Sequence, residues 1–353
     1  MAFLLGVVIV TATLVSAVKT LVLPRSAPDQ LTRLVFITIR RLFTIRLRWA
    51  KSYSERDRIM AFFAPVSLLA LVPAWLTFVM LGYSCMYWAL EAGSAYSALR
   101  VSGSSVLTLG FTATEGLAMT ILEFSEAAIG LILVALLIAY LPTMYAAFSR
   151  RETAVTMLEV RAGSPPSAIE MILRYNRIHG LDRLTEQWKI WEAWFADIEE
   201  SHTSLPALCF FRSPRPEHSW VTAAGAVLDT ASLTLSAVEI PNDPQAALCI
   251  RAGFLALRHI ADFFSIPYNK EPFFPSDPIS ITREEFDAAC EQLASKGVPL
   301  KSDRQQAWRD FAGWRVNYDT VLLILARMTL APEAPWSSDR IVANAMPAFF
   351  ARK

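Results

Sequence analysis

The feature that most constrains this chain is a run of thirty residues, 61–90, without one charged side chain. A helix crossing a bilayer needs about 20 mostly apolar residues, so this run is long enough to span. Two more stretches qualify. Residues 2–23 are interrupted only by Lys19, and residues 117–148 carry only Glu123 and Glu126 around the centre AAIGLILVALLIAYL. Lipid offers backbone N–H and C=O groups no partner, so all three are expected as helices, which satisfy those groups internally. Composition agrees: 54% of the 353 residues are hydrophobic and 18% charged, more oil and less charge than a soluble domain carries. Cys85, Cys209, Cys249 and Cys290 form no CxxC pair. Neither a zinc site nor a disulfide framework is expected.

Charge sets an expected topology. The linker of residues 24–60 is basic, with nine Lys/Arg against three acids between residues 24 and 58. Short basic loops stay in the cytoplasm, which puts the N-terminus outside and makes this a multi-pass protein of the cell membrane. Arg150 and Arg151 come after the third stretch and fall on the same side. The first stretch also admits a signal-peptide reading, but no basic residue precedes it and Lys19 comes late, which favours an anchor helix. Within the linker, LTRLVFITIRRLFTIRLRW interleaves bulky apolar residues with arginines. On a helix it would lie in the interface with its arginines toward anionic head groups, as a plain anchor or as a cuff that transmits movement to the second span.

Between the second and third stretches lies EAGSAYSALRVSGSSVLTLGFTATEG, residues 91–116. It is small and hydroxyl-rich, with a half-length helical candidate from Ser94 to Val106, then Thr108-Leu109-Gly110-Phe111-Thr112. A short helix, an extended strand and a spanning helix is the layout of a re-entrant loop. Irregular backbone exists at membrane depth only where it lines a watery or protein-buried cavity.

This arrangement resembles the pore module of the two-transmembrane, pore-loop potassium channels, whose filter reads Thr-Val-Gly-Tyr/Phe-Gly-Asp. In the third stretch, Glu126-Ala127-Ala128-Ile129-Gly130-Leu131 is similar to the Glu-Ala-x-x-Gly-Leu of many prokaryotic members. The likeness covers about residues 61–150. It implies that Thr108, Leu109, Gly110, Phe111 and Thr112 form an ion-conduction filter, with potassium as the permeant ion and no resident cofactor or metal. Backbone carbonyls there would replace an ion's hydration shell. Thr108 would add a hydroxyl at the inner end, Leu109 and Phe111 would pack behind the strand, and Gly110 would turn its carbonyl inward through a positive φ. One chain supplies one loop, so a closed filter implies a homotetramer. The chain has Thr112 and Ala113 where the family has Gly-Asp. A β-branched residue at positive φ is an outlier, so potassium-selective, less selective and non-conducting versions all stay open, as does a plain extracellular connector.

Three further residues are candidates for gating or filter support. Gly130 reads as a hinge or as a point of close helix packing. Pro142 removes a helix hydrogen bond near the cytoplasmic end and is expected to kink the helix, as a gate or without a gating role. Glu126 is expected behind the filter, bonded to Ser104 or Ser105, since ionisable groups this deep face protein or water. Glu123, nearer the outer end, reads as solvated, and Arg100 as a partner for one of the two acids.

Residues 149–353 are expected as one all-α cytoplasmic domain, with helices at about 152–160, 165–179, 181–202, 219–238, 243–265, 281–296 and 302–330. Trp188, Trp191, Trp194 and Phe195 share a helical face and read as core. Glu199-Glu200-x-His202 reads as a solvated helix end ahead of a metal pair. No P-loop, GxGxxG, GxSxG or HExxH occurs, so no enzyme is expected. Twenty-two Lys/Arg against 25 acids argues against a nucleic-acid partner. The whole reads as an all-α integral membrane protein with an N-terminal transmembrane helix (1–23), the basic linker (24–60), an outer helix–pore helix–filter–inner helix module (61–148) and the helical domain, whose ligand or partner is unknown. Its expected function is passive monovalent cation conduction. The alternatives are a membrane-anchored sensor or scaffold with a degenerate loop, and a membrane-anchored enzyme acting through its tail.

Overall fold

A computed structural model of the chain describes residues 1–23, 29–90, 93–112 and 114–340. Among them it is all-helical, with no strand beyond one isolated antiparallel bridge between Val238 and Leu300. Three of its helices are long and apolar enough to cross a membrane. The chain divides into two compact units, Met1–Trp49 with Ile59–Ala146, and Ala50–Arg58 with Ala147–Lys353.

The first unit is built from α1 (Ala2–Leu21), α2 (Gln30–Leu47), the end of α3 (Tyr53–Ala61), α4 (Phe63–Ala89), α5 (Ala95–Val106) and most of α6 (Leu117–Ala162). Helices gain no hydrophobic drive from pairing inside lipid, so small residues that let backbones approach set the contacts. On α1 the buried stripe is Gly6, Val10, Thr13 and Ala17, and Gly6 meets Gly82 of α4 so closely that neither has room for a Cβ. At the other end of α1 the contact becomes polar. Ser16 Oγ accepts from Trp75 Nε1 at 3.1 Å and donates to Asp29 Oδ2 at 2.6 Å. Asp29 in turn caps α2 by accepting from the Thr32 N–H at 2.8 Å.

The linker pattern is thus helical over Gln30–Leu47, and residues 24–28 lie outside the described residues. Its inner face holds buried Phe36, edge-on to Phe63 at 6.1 Å. Its outer face leaves Leu34, Leu42, Ile45 and Trp49 exposed beside Arg41, Arg46 and Arg48.

Helix α6 runs for 46 residues without interruption. The separate helix expected at 152–160 is its continuation, because no glycine or proline stands between residues 143 and 162 to end it. Arg150 and Arg151, expected as charges at the membrane's inner face, are both engaged within the second unit. Arg150 pairs with Asp197 at 3.1 Å. Arg151 is fully buried and donates to the carbonyls of Leu208 at 2.8 Å and Phe211 at 2.7 Å, and to Glu152 Oε1.

The second unit continues with α7 (Ala168–Arg177), α8 (Leu184–Ser204), α9 (Trp220–Ala237), α10 (Pro244–Phe263), α11 (Arg283–Ser295), α12 (Arg304–Arg315) and α13 (Asp319–Thr329). Side-chain caps mark most of the starts: Ser167, Ser219, Asp243 and Asp303 each accept from a first-turn N–H, and Thr282 forms a capping box with Glu285. Helix α9 is the axis of the unit. Every residue of it except Leu235 is buried, with α7, α10, α12 and α13 packed around it. The expected single helix at 302–330 is two helices with a turn at residues 316–318. The periodic pattern hides the break, where the Asn317 side chain donates to the carbonyls of Gly313 at 3.0 Å and Trp314 at 3.2 Å and a tertiary ion pair flanks the turn. Arg315 closes α12 with its guanidinium 2.5 Å from Asp229 Oδ1 on α9, and Tyr318, in the turn, donates to the same oxygen at 2.9 Å. Asp229 is the lone acid in an otherwise apolar and hydroxyl-bearing helix. A buried charge demands a partner, and that isolation is the signal that could have revealed the pair.

Candidate functional site

Helix α5 starts where Ser94 accepts from the Ser97 N–H at 3.2 Å. It then descends between α4 and α6. Ser102 Oγ lies 2.8 Å from the carbonyl of Met80 and 2.5 Å from Glu126 Oε1. Tyr87 of α4 donates to the other oxygen of Glu126 at 3.0 Å. One buried carboxylate therefore ties all three helices together. The last carbonyl of α5, that of Val106, sits against the Cα of Gly130, leaving no space for a side chain. Gly130 is thirteen residues into α6, which is roughly 20 Å along its axis at 1.5 Å per residue. The short helix thus ends deep between two helices of spanning length and does not lie across their tips.

Beyond its last residue, α5 gives way to a tight turn, not the expected strand. The Thr108 N–H donates to Ser105 O at 3.0 Å and the Leu109 N–H to Ser104 O at 2.8 Å. These are the paired bonds of a Schellman helix end. That motif needs a left-handed residue, usually glycine, and here it is Thr108 with φ 54°. A β-branched side chain at that φ is strained, and such strain collects at functional sites. Gly110 is also left-handed, at φ 69°, while Leu109, Phe111 and Thr112 are not. Alternating the hand of successive residues swings neighbouring peptide groups toward one side, where a strand would alternate them. The alternation stops at Thr112, the position where the sequence lacks glycine. The Thr112 N–H instead donates to Ser104 Oγ at 3.3 Å.

The structure brings together Thr108 through Thr112, Glu126 and Gly130, and revises several expectations about them. Glu126 bonds Ser102 and Tyr87 in place of Ser104 or Ser105, because Ser102 is the hydroxyl on the face of α5 that turns toward α6. Leu109 and Phe111, expected to pack behind a strand, are more than half exposed within one chain. Arg100 forms no ion pair with Glu123 or Glu126 among the described residues. Its guanidinium lies over the rings of Tyr96 and Phe111, at 5.9 and 5.8 Å. Glu123, expected in solvent, accepts from both the N–H and the hydroxyl of Thr114. Gly130 serves close packing. Pro142 lies on an exposed face of the continuous helix, well away from the turn. Ala113 lies outside the described residues. Tyr87, Ser102 and Thr114 escape sequence reasoning because a lone tyrosine, serine or threonine carries no local signal of its distant partner.

In the second unit the residues singled out by the sequence are engaged in its packing. Trp188, Trp191, Trp194 and Phe195 are buried. Glu199 turns to His259 at 2.7 Å. His202 is fully buried against the Trp220 ring, at 4.7 Å between centroids. Burial, reinforced by the Arg151 guanidinium, holds its pKa well below the ordinary imidazole value. The two members of the Glu-x-x-His pattern therefore face different partners, and no group of three metal-ligating side chains occurs among the described residues. Comparison with protein-family models, with curated proteins and with solved structures finds no match to this chain.

Proposed function

We propose that this chain forms a membrane pore for monovalent cations, with copies assembled around a common axis so that their turns at Thr108–Thr112 face one another. The observation that carries this reading is the depth and ending of α5, a half-length helix whose last carbonyl reaches Gly130 and whose next residues alternate the hand of their backbone. A connector outside the membrane has no need to spend a strained Thr108 on such a turn. The exposure of Leu109 and Phe111 supports the same reading, because a neighbouring copy would cover what a single chain leaves open. So does α6, whose buried stripe of Glu126, Gly130, Leu133, Leu137, Tyr140 and Met144 is backed by an exposed apolar face of Leu131, Ile132, Val134 and Ile138. A closed ring of carbonyls built from one loop per chain takes four chains. The permeant ion in this reading is potassium, moving passively. The N-terminus is outside, the helical tail is cytoplasmic, and α2 lays its arginines on anionic head groups.

The Thr112 geometry favours one alternative, a loop that keeps the architecture and passes no ions, leaving the protein as a membrane-anchored sensor or scaffold. Flux from liposomes and reversal potentials in potassium/sodium mixtures decide between them. The wild-type chain is expected to leak monovalent cations, and Thr112→Gly is expected to raise potassium preference by admitting one more left-handed residue at the outer end. A tetramer that stays sealed to both ions leaves the scaffold reading in possession. A monomer overturns the shared architecture.

A further inference from the structure

The residues after the turn need something to hold them. An aspartate does not follow this filter sequence, and the peptide run from Phe111 to Gly116 has no regular structure among its described residues. Hydrogen bonds fasten it at Thr112 and at Thr114. The Thr112 N–H donates to Ser104 Oγ at 3.3 Å, a bond back to the short helix. Two residues on, the Thr114 N–H and hydroxyl both donate to Glu123 Oε1, at 3.0 and 2.8 Å. Glu123 stands three residues before Glu126 on the same face of α6, and Glu126 is itself bonded to α4 and α5. The acceptor for Thr114 is therefore mounted on the helix that the rest of the site is built against. One oxygen that accepts two donors ties the loop to α6 through both at once. It is bonded to the backbone as well as to the side chain of Thr114, so it restrains the peptide chain itself.

We propose that Glu123 is a positioning residue that sets ion selectivity, holding the outer end of the loop against α6 through Thr114 and standing in for an acid within the loop. The proposal rests on the pore reading above. It needs the oxygen of Glu123 as an acceptor and does not need its charge to face the ion. Glutamine at this position keeps an acceptor oxygen of the same reach, alanine removes it, and Thr114→Val removes the hydroxyl half of the contact while leaving the N–H.

The test is the reversal potential of the purified full-length chain in planar bilayers under potassium/sodium mixtures. Glu123→Ala is expected to change the permeability ratio by about fivefold or more, the scale set by leaving the Thr114 donors without their acceptor. Glu123→Gln is expected to stay within about twofold of wild type, and Thr114→Val to fall between. An alanine variant with the wild-type ratio overturns the proposal, and so does a glutamine variant that behaves like alanine, since charge and not tethering would then be at work. If Glu123→Ala passes no current, the comparison of Thr114→Val with wild type decides by the same criterion. A wild-type chain that passes neither ion defeats the pore reading itself, whereas a conducting wild type whose variants keep its ratio defeats only the tether.

Discussion

Arg315→Met is expected to be the most destabilising single substitution in the second unit. Arg315 is fully buried and makes four strong contacts: both oxygens of Asp229 at 2.5 and 2.7 Å, Asp319 Oδ1 at 2.7 Å and the carbonyl of Trp336 at 2.6 Å. Burial alone would favour loss of its proton, but the carboxylates of Asp229 and Asp319 on either side raise its pKa above the ordinary guanidinium value. It is therefore a fixed positive charge inside the domain. Removing it strands Asp229 in the middle of α9, where the Tyr318 hydroxyl still donates to it at 2.9 Å. Breaking a buried pair from one side costs roughly 3–5 kcal/mol. For a unit of this size that lowers the apparent melting temperature by about 10 °C, at roughly 2–4 °C per kcal/mol. Tryptophan fluorescence of the full-length protein in detergent is the measurement, because Trp188, Trp191, Trp194 and Trp220 are all buried in the same unit. Removing both partners is expected to hurt less than removing one. The double variant Asp229→Leu, Arg315→Met should melt above Arg315→Met alone, since no uncompensated charge remains on α9 and Asp319 keeps its bonds from the Ser280 N–H and hydroxyl. A double variant that melts below the single one would mean that the stranded charge on Asp229 is not what destabilises Arg315→Met.

The second large effect is expected at Gly130. Its Cα carries the weight of the carbonyl of Val106, a backbone atom that cannot rotate away as a side chain can. Even alanine must push α5 off α6. Overpacking of this kind costs roughly 1–3 kcal/mol, which at about 1.4 kcal/mol per decade is a five- to hundredfold loss of the seated arrangement. If the proposed pore conducts, Gly130→Ala is thus expected to reduce initial cation flux from liposomes by at least about that lower factor. Gly103→Ala is the matched control. It lies on α5 itself, and the nearest atom to a new methyl there is Met80 Sδ at 3.6 Å, an ordinary contact with a flexible side chain. Equal flux from Gly130→Ala and wild type would mean that α5 need not rest on α6 for the pore to work. Equal loss from both glycines would mean that helix content, not the crossing, is being measured.

Much of the local structure is legible in the sequence. The half-length helix expected from Ser94 to Val106 is found at Ala95–Val106 behind a Ser94 cap, because hydroxyl caps and helical spacing are properties of neighbouring residues. The same holds for the tail, where caps and apolar periodicity mark α7 through α11 to within a few residues. Legibility fails wherever the deciding partner is distant in sequence. Nothing near Glu126 indicates Ser102 over Ser104, because both lie on one short helix and the choice depends on how that helix is rotated against α6. The turn after residue 315 has a local mark in Asn317, whose side chain donates to the carbonyls of Gly313 and Trp314, but its pairing with Asp229 on another helix has none. Thr108 is the sharpest case. Local preference argues against a β-branched left-handed residue, and the structure uses one because the helix end that pairs the Ser104 and Ser105 carbonyls with the Leu109 and Thr108 N–H groups requires a left-handed residue there.

The sequence by itself determined that this chain would be helical throughout, with three stretches long enough for a bilayer and a short helix between the last two, because backbone satisfaction in lipid and side-chain periodicity act over a few residues at a time. Only the tertiary structure decided that the short helix descends to Gly130, that Glu126 is its pivot and that Arg315 pairs with Asp229 across the second unit. Those outcomes turn on which buried polar group can find a partner, and the partners are brought within reach only after the helices have packed.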